Sequence, residues 1–125
     1  MAPRRLLLID DEDDIREVAQ VSLEIVGRWD VLTASGGAEG IRRARAEAPD
    51  AILLDVMMPD MDGAATYRQL KAHSETRHIP VVLLTASNPE GTVQREQLRG
   101  LTVISKPFDP LRLPAQVAHA LGWPA

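Results

Sequence analysis

Leu6-Leu7-Leu8-Ile9-Asp10-Asp11 runs four consecutive branched aliphatic residues straight into two acids. The pattern returns at Ala51-Ile52-Leu53-Leu54-Asp55, and the shorter Val103-Ile104-Ser105 leads into Lys106 and Pro107. Apolar runs this short, with no alternation of polar residues, are strands buried on both faces, as in a parallel sheet. In an open parallel sheet the carboxyl ends of the strands form the ligand crevice. Asp10, Asp11, Asp55 and Lys106 are therefore expected to converge. Two like unit charges about 4 Å apart repel by about 4 kcal/mol at an effective dielectric near 20. A positive partner must sit among the carboxylates, and a divalent, oxygen-seeking cation meets that demand.

Helix-like segments fill the spaces between strands. The first strand, about Arg4 to Ile9, is followed by a helix from Asp13 to Val26, with Ile15, Val18, Ser22, Ile25 and Val26 near one face. Its acidic first turn suits the positive end of the helix dipole, and Gly27 can stop it. A strand over Asp30 to Ala34 leads to a second helix, Gly36 to Glu47, with Ser35 as cap and Pro49 preventing continuation. The third strand, Ala51 to Asp55, opens into a loop from Val56 to Gly63, and a third helix spans Ala64 to Ala72. Ile79 to Leu84 is the fourth strand, Asn88-Pro89 can open a fourth helix ending near Gly100, and Leu101 to Ser105 is the fifth strand. A turn holding Pro110 precedes a last helix from Pro114, stopped by Gly122. Five strands alternating with five helices imply an α/β doubly wound (βα)5 sheet.

At 125 residues the chain is expected to be one domain. Only Trp29, Tyr67, Phe108 and Trp123 are aromatic, so the core must be aliphatic. A net charge of −4 argues against nucleic acid as a direct partner, and Arg42, Arg43 and Arg45 read as a solvated helix face. With no cysteine there is no disulfide, thiolate metal site or thiol nucleophile. The start is too acidic for a signal peptide and no stretch approaches the length of a membrane span, so a soluble cytoplasmic protein is expected. His73, His78 and His119 lie away from the strand ends and are read as surface residues.

Asp55, at a strand end facing a crevice, can act as a nucleophile towards phosphorus. Asp10 and Asp11 can share Mg²⁺ with it, since such sites combine one or two carboxylates with waters and phosphate oxygens. Lys106, and the Thr85 hydroxyl just past the fourth strand, can meet the equatorial oxygens of a transferred phosphoryl group. Asp13 and Asp14 are read only as helix-dipole charges.

Ile9-Asp10-Asp11-Glu12, Leu53-Leu54-Asp55-Val56-Met57-Met58-Pro59 through Asp62-Gly63, Leu84-Thr85-Ala86 and Lys106-Pro107-Phe108 together resemble the receiver domain of two-component response regulators. The resemblance spans nearly the whole chain, with no output domain in it. It implies a flavodoxin-like fold of strand order 2-1-3-4-5 and a phosphoryl group accepted on Asp55 from phosphohistidine on a sensor histidine kinase or phosphotransfer protein. It further implies Mg²⁺ held by Asp10, Asp11 and the Met57 backbone carbonyl beside Asp55, phosphoryl contacts from Thr85 and Lys106, and a cis peptide before Pro107. Receivers often pair through the face of the fourth helix, fifth strand and fifth helix, so a monomer or weak dimer is expected.

The sequence departs from the family's pattern at Val103, where an aromatic residue is usual three positions before the lysine. Signalling is therefore expected to run through the loop from Thr85 to Gly91 and the face of the fourth helix, fifth strand and fifth helix. Met57 and Ser87 occupy the positions that tune phosphoryl lifetime in this family, and an apolar Met57 predicts a long-lived phosphoaspartate. Two other classes stand beside this reading. A haloacid-dehalogenase-type phosphatase would need a second acid where Asp55-Val56-Met57 has none. A degenerate receiver would be a phosphorylation-independent interaction module.

Overall fold

The computed structural model describes residues 3–58, 61–85 and 100–124. Strands β1 (Arg5–Ile9), β2 (Asp30–Ala34), β3 (Ala51–Asp55), β4 (Val81–Thr85) and β5 (Val103–Ser105) form one parallel sheet in the order β2-β1-β3-β4-β5. The described helices are α1 (Asp13–Val21), α2 (Gly37–Glu47), α3 (Gly63–Ala72) and α4 (Leu113–Leu121). The helix expected from Asn88 to Gly100, the loop from Ala86 to Gly91, Ser87, Pro59 and Asp60 lie outside the described residues, in whole or but for Gly100.

The runs of β1, β3 and β4 are buried on both faces, as their lack of alternation requires, but the expectation fails for β5, an edge strand in which only Ile104 is buried and Ser105 is exposed. Leu7, Ile9, Ile52, Leu54, Val81 and Leu83 join one core, which takes in Ala44 of α2 and Ala64 and Leu70 of α3. Leu6, Leu8, Leu53, Val82, Leu84 and Ile104 join the other, with Ala19 of α1 and Leu113 and Val117 of α4. Each fully buried leucine or isoleucine contributes about 1.5–3 kcal/mol relative to exposure. Val103 is half-buried against the first of these cores.

The sheet reverses direction of strand addition between β1 and β3, which pair from Leu6↔Ala51 to Ile9↔Leu54. A crevice opens at the carboxyl ends of strands at such a switch point. Asp10 and Asp55 are the next residues on these two strands, so topology alone makes them neighbours.

Several local expectations need correction. The first helix is regular only to Val21, and Ser22–Val26 form a π-helical turn in which Gly27 N–H bonds to Ser22 C=O at 3.2 Å. The wider turn rotates the residues that follow it. Ala19, Ser22 and Leu23 face inward, while Val18, Ile25 and Val26 are exposed, so the expected apolar face is wrong except at Ser22 and the half-buried Ile15. Ser22 Oγ donates to Pro110 C=O, which is how a polar residue is tolerated there. Gly27 is not left-handed (φ −77°). A side chain at this position would approach Leu23 C=O to 2.6 Å, and the left-handed residue is Arg28 (φ 62°). Ser35 does not cap α2. Its N–H and hydroxyl both donate to Glu39 Oε1, at 2.8 and 2.9 Å, and the helix starts at Gly37. β4 begins at Val81, two residues later than expected, after Pro80, and β5 is the short stretch Val103–Ser105.

Candidate functional site

Strand ends and tight turns fix each side chain. Asp10 extends the β1–β2 ladder by one bond, its N–H donating to Ala34 C=O at 3.1 Å, and its carboxylate Oδ1 accepts the Glu12 N–H at 2.9 Å. Asp55 closes β3, and its Oδ1 accepts the Met57 N–H at 3.2 Å. The loop beyond returns to its start, where Gly63 N–H bonds to Val56 C=O at 2.7 Å. A Cβ on Gly63 would stand 2.5 Å from Val56 Cα, so only glycine allows this return. Asp62 then caps α3 by accepting the Ala65 N–H at 2.8 Å.

Thr85 ends β4, buried, and its C=O accepts the Lys106 N–H at 2.9 Å. The Lys106–Pro107 peptide is cis, in agreement with the resemblance. From this anchor the Lys106 ammonium reaches Asp10 Oδ2 at 2.8 Å, Glu12 Oε1 at 3.0 Å and Asp55 Oδ2 at 3.5 Å. Asp10, Asp55 and Lys106 thus meet as expected, with Asp11 beside them and Thr85 at the same edge one strand over. Met57 is tied to Asp55 through its N–H, and its side chain is exposed at the rim.

Sequence reasoning missed two participants. Glu12, quoted in the Ile9-to-Glu12 motif but given no role of its own, accepts a side-chain hydrogen bond from Lys106. Arg16 clamps the turn by donating to Asp10 C=O at 2.8 Å and to Asp13 Oδ1 at 2.6 Å. Its spacing of three from Asp13 was the available signal.

Burial raises the Asp55 carboxyl to about 7, and the nearby Asp10 charge adds to this, while Lys106 and the Met57 N–H act in the opposite direction. For Lys106, burial works to lower the value, but Asp10, Glu12 and Asp55 outweigh it and hold the ammonium above its ordinary range.

Asp10 Oδ2, Asp11 Oδ1 and Asp55 Oδ2 are buried without a hydrogen bond, although Lys106 lies near two of them. One oxygen from each of these three residues lies within 4.8 Å of the others. Carboxylate oxygens converging this closely, with one ammonium beside three acids, fit a small hard divalent cation.

The family model "response regulator receiver domain" matches residues 6–118. The chain is 37% identical over 119 residues to the alkaline phosphatase synthesis transcriptional regulatory protein PhoP of Bacillus subtilis, covering 94% of this chain and 48% of that protein. The chain spans about half the length of the first curated relatives it matches. Among solved structures, chemotaxis protein CheY4 of Vibrio cholerae superposes with TM-score 0.84 at 28% identity, over 95% of this chain and 99% of that one. The receiver domain of sensor histidine kinase PA1611 from Pseudomonas aeruginosa, with magnesium coordinated in its active-site cleft, superposes with TM-score 0.84 at 27% identity, over 97% and 99%.

The doubly wound parallel sheet of order β2-β1-β3-β4-β5 is the architecture that these receiver structures share. This chain belongs to the response regulator receiver domain family, whose members work with histidine kinases and downstream targets in two-component signalling. Among the described residues no helix is long and apolar enough to cross a membrane.

Proposed function

We propose that Asp55 accepts a phosphoryl group from a phosphohistidine of a sensor kinase or phosphotransfer protein and that the modified domain switches its protein contacts. The supporting observation is the convergence of Asp10, Asp11 and Asp55, each with a buried oxygen lacking a hydrogen bond, beside a lysine that reaches Asp55. An Asp55 carboxylate oxygen attacks phosphorus in line, a P–O bond forms, the P–N bond to the donor imidazole breaks, and the nitrogen keeps the electron pair. The ionised carboxylate needs no general base. Lys106 stabilises negative charge on the phosphoryl oxygens, and Thr85 offers its hydroxyl from the neighbouring strand. Asp10, Asp11, Asp55 and the Met57 carbonyl would hold Mg²⁺, which would supply further charge neutralisation for the transfer. The chain catalyses only its own modification and its slow reversal, and the apolar Met57 at the rim hinders an attacking water.

Incubation with acetyl phosphate tests this reading by intact mass. A gain of one phosphoryl group that requires Mg²⁺ and is lost in Asp55→Asn is expected. An unmodified wild-type chain that retains its fold would overturn the proposal in favour of a phosphorylation-independent interaction module.

A further inference from the structure

Lys106 has three ammonium protons, and three carboxylates face it. Asp10 and Asp55 belong to the trio that converges on the cation position, and Glu12 does not. Glu12 immediately precedes α1, where a side chain commonly caps the helix, yet it makes no capping bond. Its carboxylate turns to the Lys106 ammonium at 3.0 Å, while its N–H is fixed on Asp10 at 2.9 Å and its C=O accepts the Arg16 N–H at 2.9 Å. A divalent cation among Asp10, Asp11 and Asp55 would engage the oxygens that now attract Lys106 and would itself repel the ammonium.

We infer that Glu12 is a positioning residue that keeps the Lys106 ammonium beside the acceptor carboxylate once a cation occupies the Asp10–Asp11–Asp55 trio. Glu12 lies at the solvent edge, so it can hold the lysine without adding a charge to the cation's own ligand set. Its carboxylate is the one among the three facing Lys106 that remains available after Asp10 and Asp55 are engaged. The inference rests on the phosphoacceptor reading of Asp55, but its primary test does not.

That test is the ¹⁵N NMR signal of the Lys106 ammonium in Mg²⁺-loaded protein, wild type against Glu12→Gln. A resolved signal in the wild type that broadens or disappears in the variant is expected, with Mg²⁺ affinity unchanged to within about twofold because Glu12 is not a ligand. At saturating acetyl phosphate the variant is expected to be modified about threefold more slowly, the scale of a half-exposed ion pair. In a Lys106→Met background that loss should vanish, since the two residues act through one interaction. An ammonium signal identical in the two Mg²⁺-loaded proteins overturns the inference, as does a rate loss that persists undiminished in the Lys106→Met background. If the wild type takes up no phosphoryl group, the function proposed for Asp55 fails, and the ammonium signal still decides the role of Glu12.

Discussion

The Lys106 ammonium lies 2.8 Å from the Asp10 carboxylate and 3.5 Å from that of Asp55, so the lysine is held closer to Asp10 than to the residue proposed as phosphoacceptor. Its side chain is only 6% exposed. It offsets repulsion between two buried carboxylates.

Removing that charge should be costly. Lys106→Met is expected to lower metal-free stability by about 3 kcal/mol, because it leaves buried acids uncompensated. Millimolar Mg²⁺ should restore much of the loss. Urea denaturation with and without Mg²⁺ measures both effects, and a variant as stable as wild type in chelator would contradict the ion-pair geometry.

The raised Asp55 carboxyl makes metal-free stability depend on pH. Its folded value of about 7 lies above its ordinary 3.8, so between these values the folded chain binds more protons than the unfolded one. Stability must then fall as pH rises through this window, by about 2–4 kcal/mol from this group alone. Lys106 is shifted upward from 10.5, so its contribution is present throughout the window and is lost only in strong alkali. In chelator at pH 8, Asp55→Asn is expected to be more stable than wild type by about 2 kcal/mol, and the difference should shrink near pH 4. Thermal melts at the two pH values check this.

Gly63 carries the loop back to the strand end. Gly63→Ala would drive its Cβ against Val56 Cα, a backbone atom with little room to move. A loss of about 1–3 kcal/mol is expected by chemical denaturation, together with weaker Mg²⁺ binding because the turn that holds Met57 beside Asp55 is displaced. Unchanged stability and metal affinity would show that the turn yields freely.

Met57, with its exposed apolar side chain, borders Asp55. Met57→Asn is expected to shorten the lifetime of the phosphorylated state severalfold by admitting and orienting water. The decay of the phosphorylated mass in Mg²⁺ measures this. Equal lifetimes would remove Met57 from any shielding role.

The sheet was legible because its signal is strong and redundant. Leu6 to Ile9 and Ile52 to Leu54 carry no polar residue, and burial on both faces follows from that alone. Asp10 and Asp55 were legible because each ends such a run, and Lys106 because it follows the short Val103-Ile104-Ser105 and precedes Pro107. The first helix was misread for a physical reason. Its spacing favoured large apolar residues, yet the inward positions fall to small Ala19 and, after the π-helical turn, to Ser22 and Leu23. A wide turn has no clear sequence signature, and the Pro110 carbonyl that satisfies Ser22 lies 88 residues away. Glu12 was missed because an acid before a helix already has a local explanation in the helix dipole.

Chemical mapping of the modified residue tests the central claim most directly. After incubation with acetyl phosphate and Mg²⁺, borohydride reduces an aspartyl phosphate to homoserine, which peptide mass spectrometry locates in the chain. Homoserine at position 55, and its loss in chelator, is the expected result. Homoserine at position 10 or 11, or none in a folded and Mg²⁺-loaded chain, would contradict the assignment of Asp55 as the phosphoacceptor.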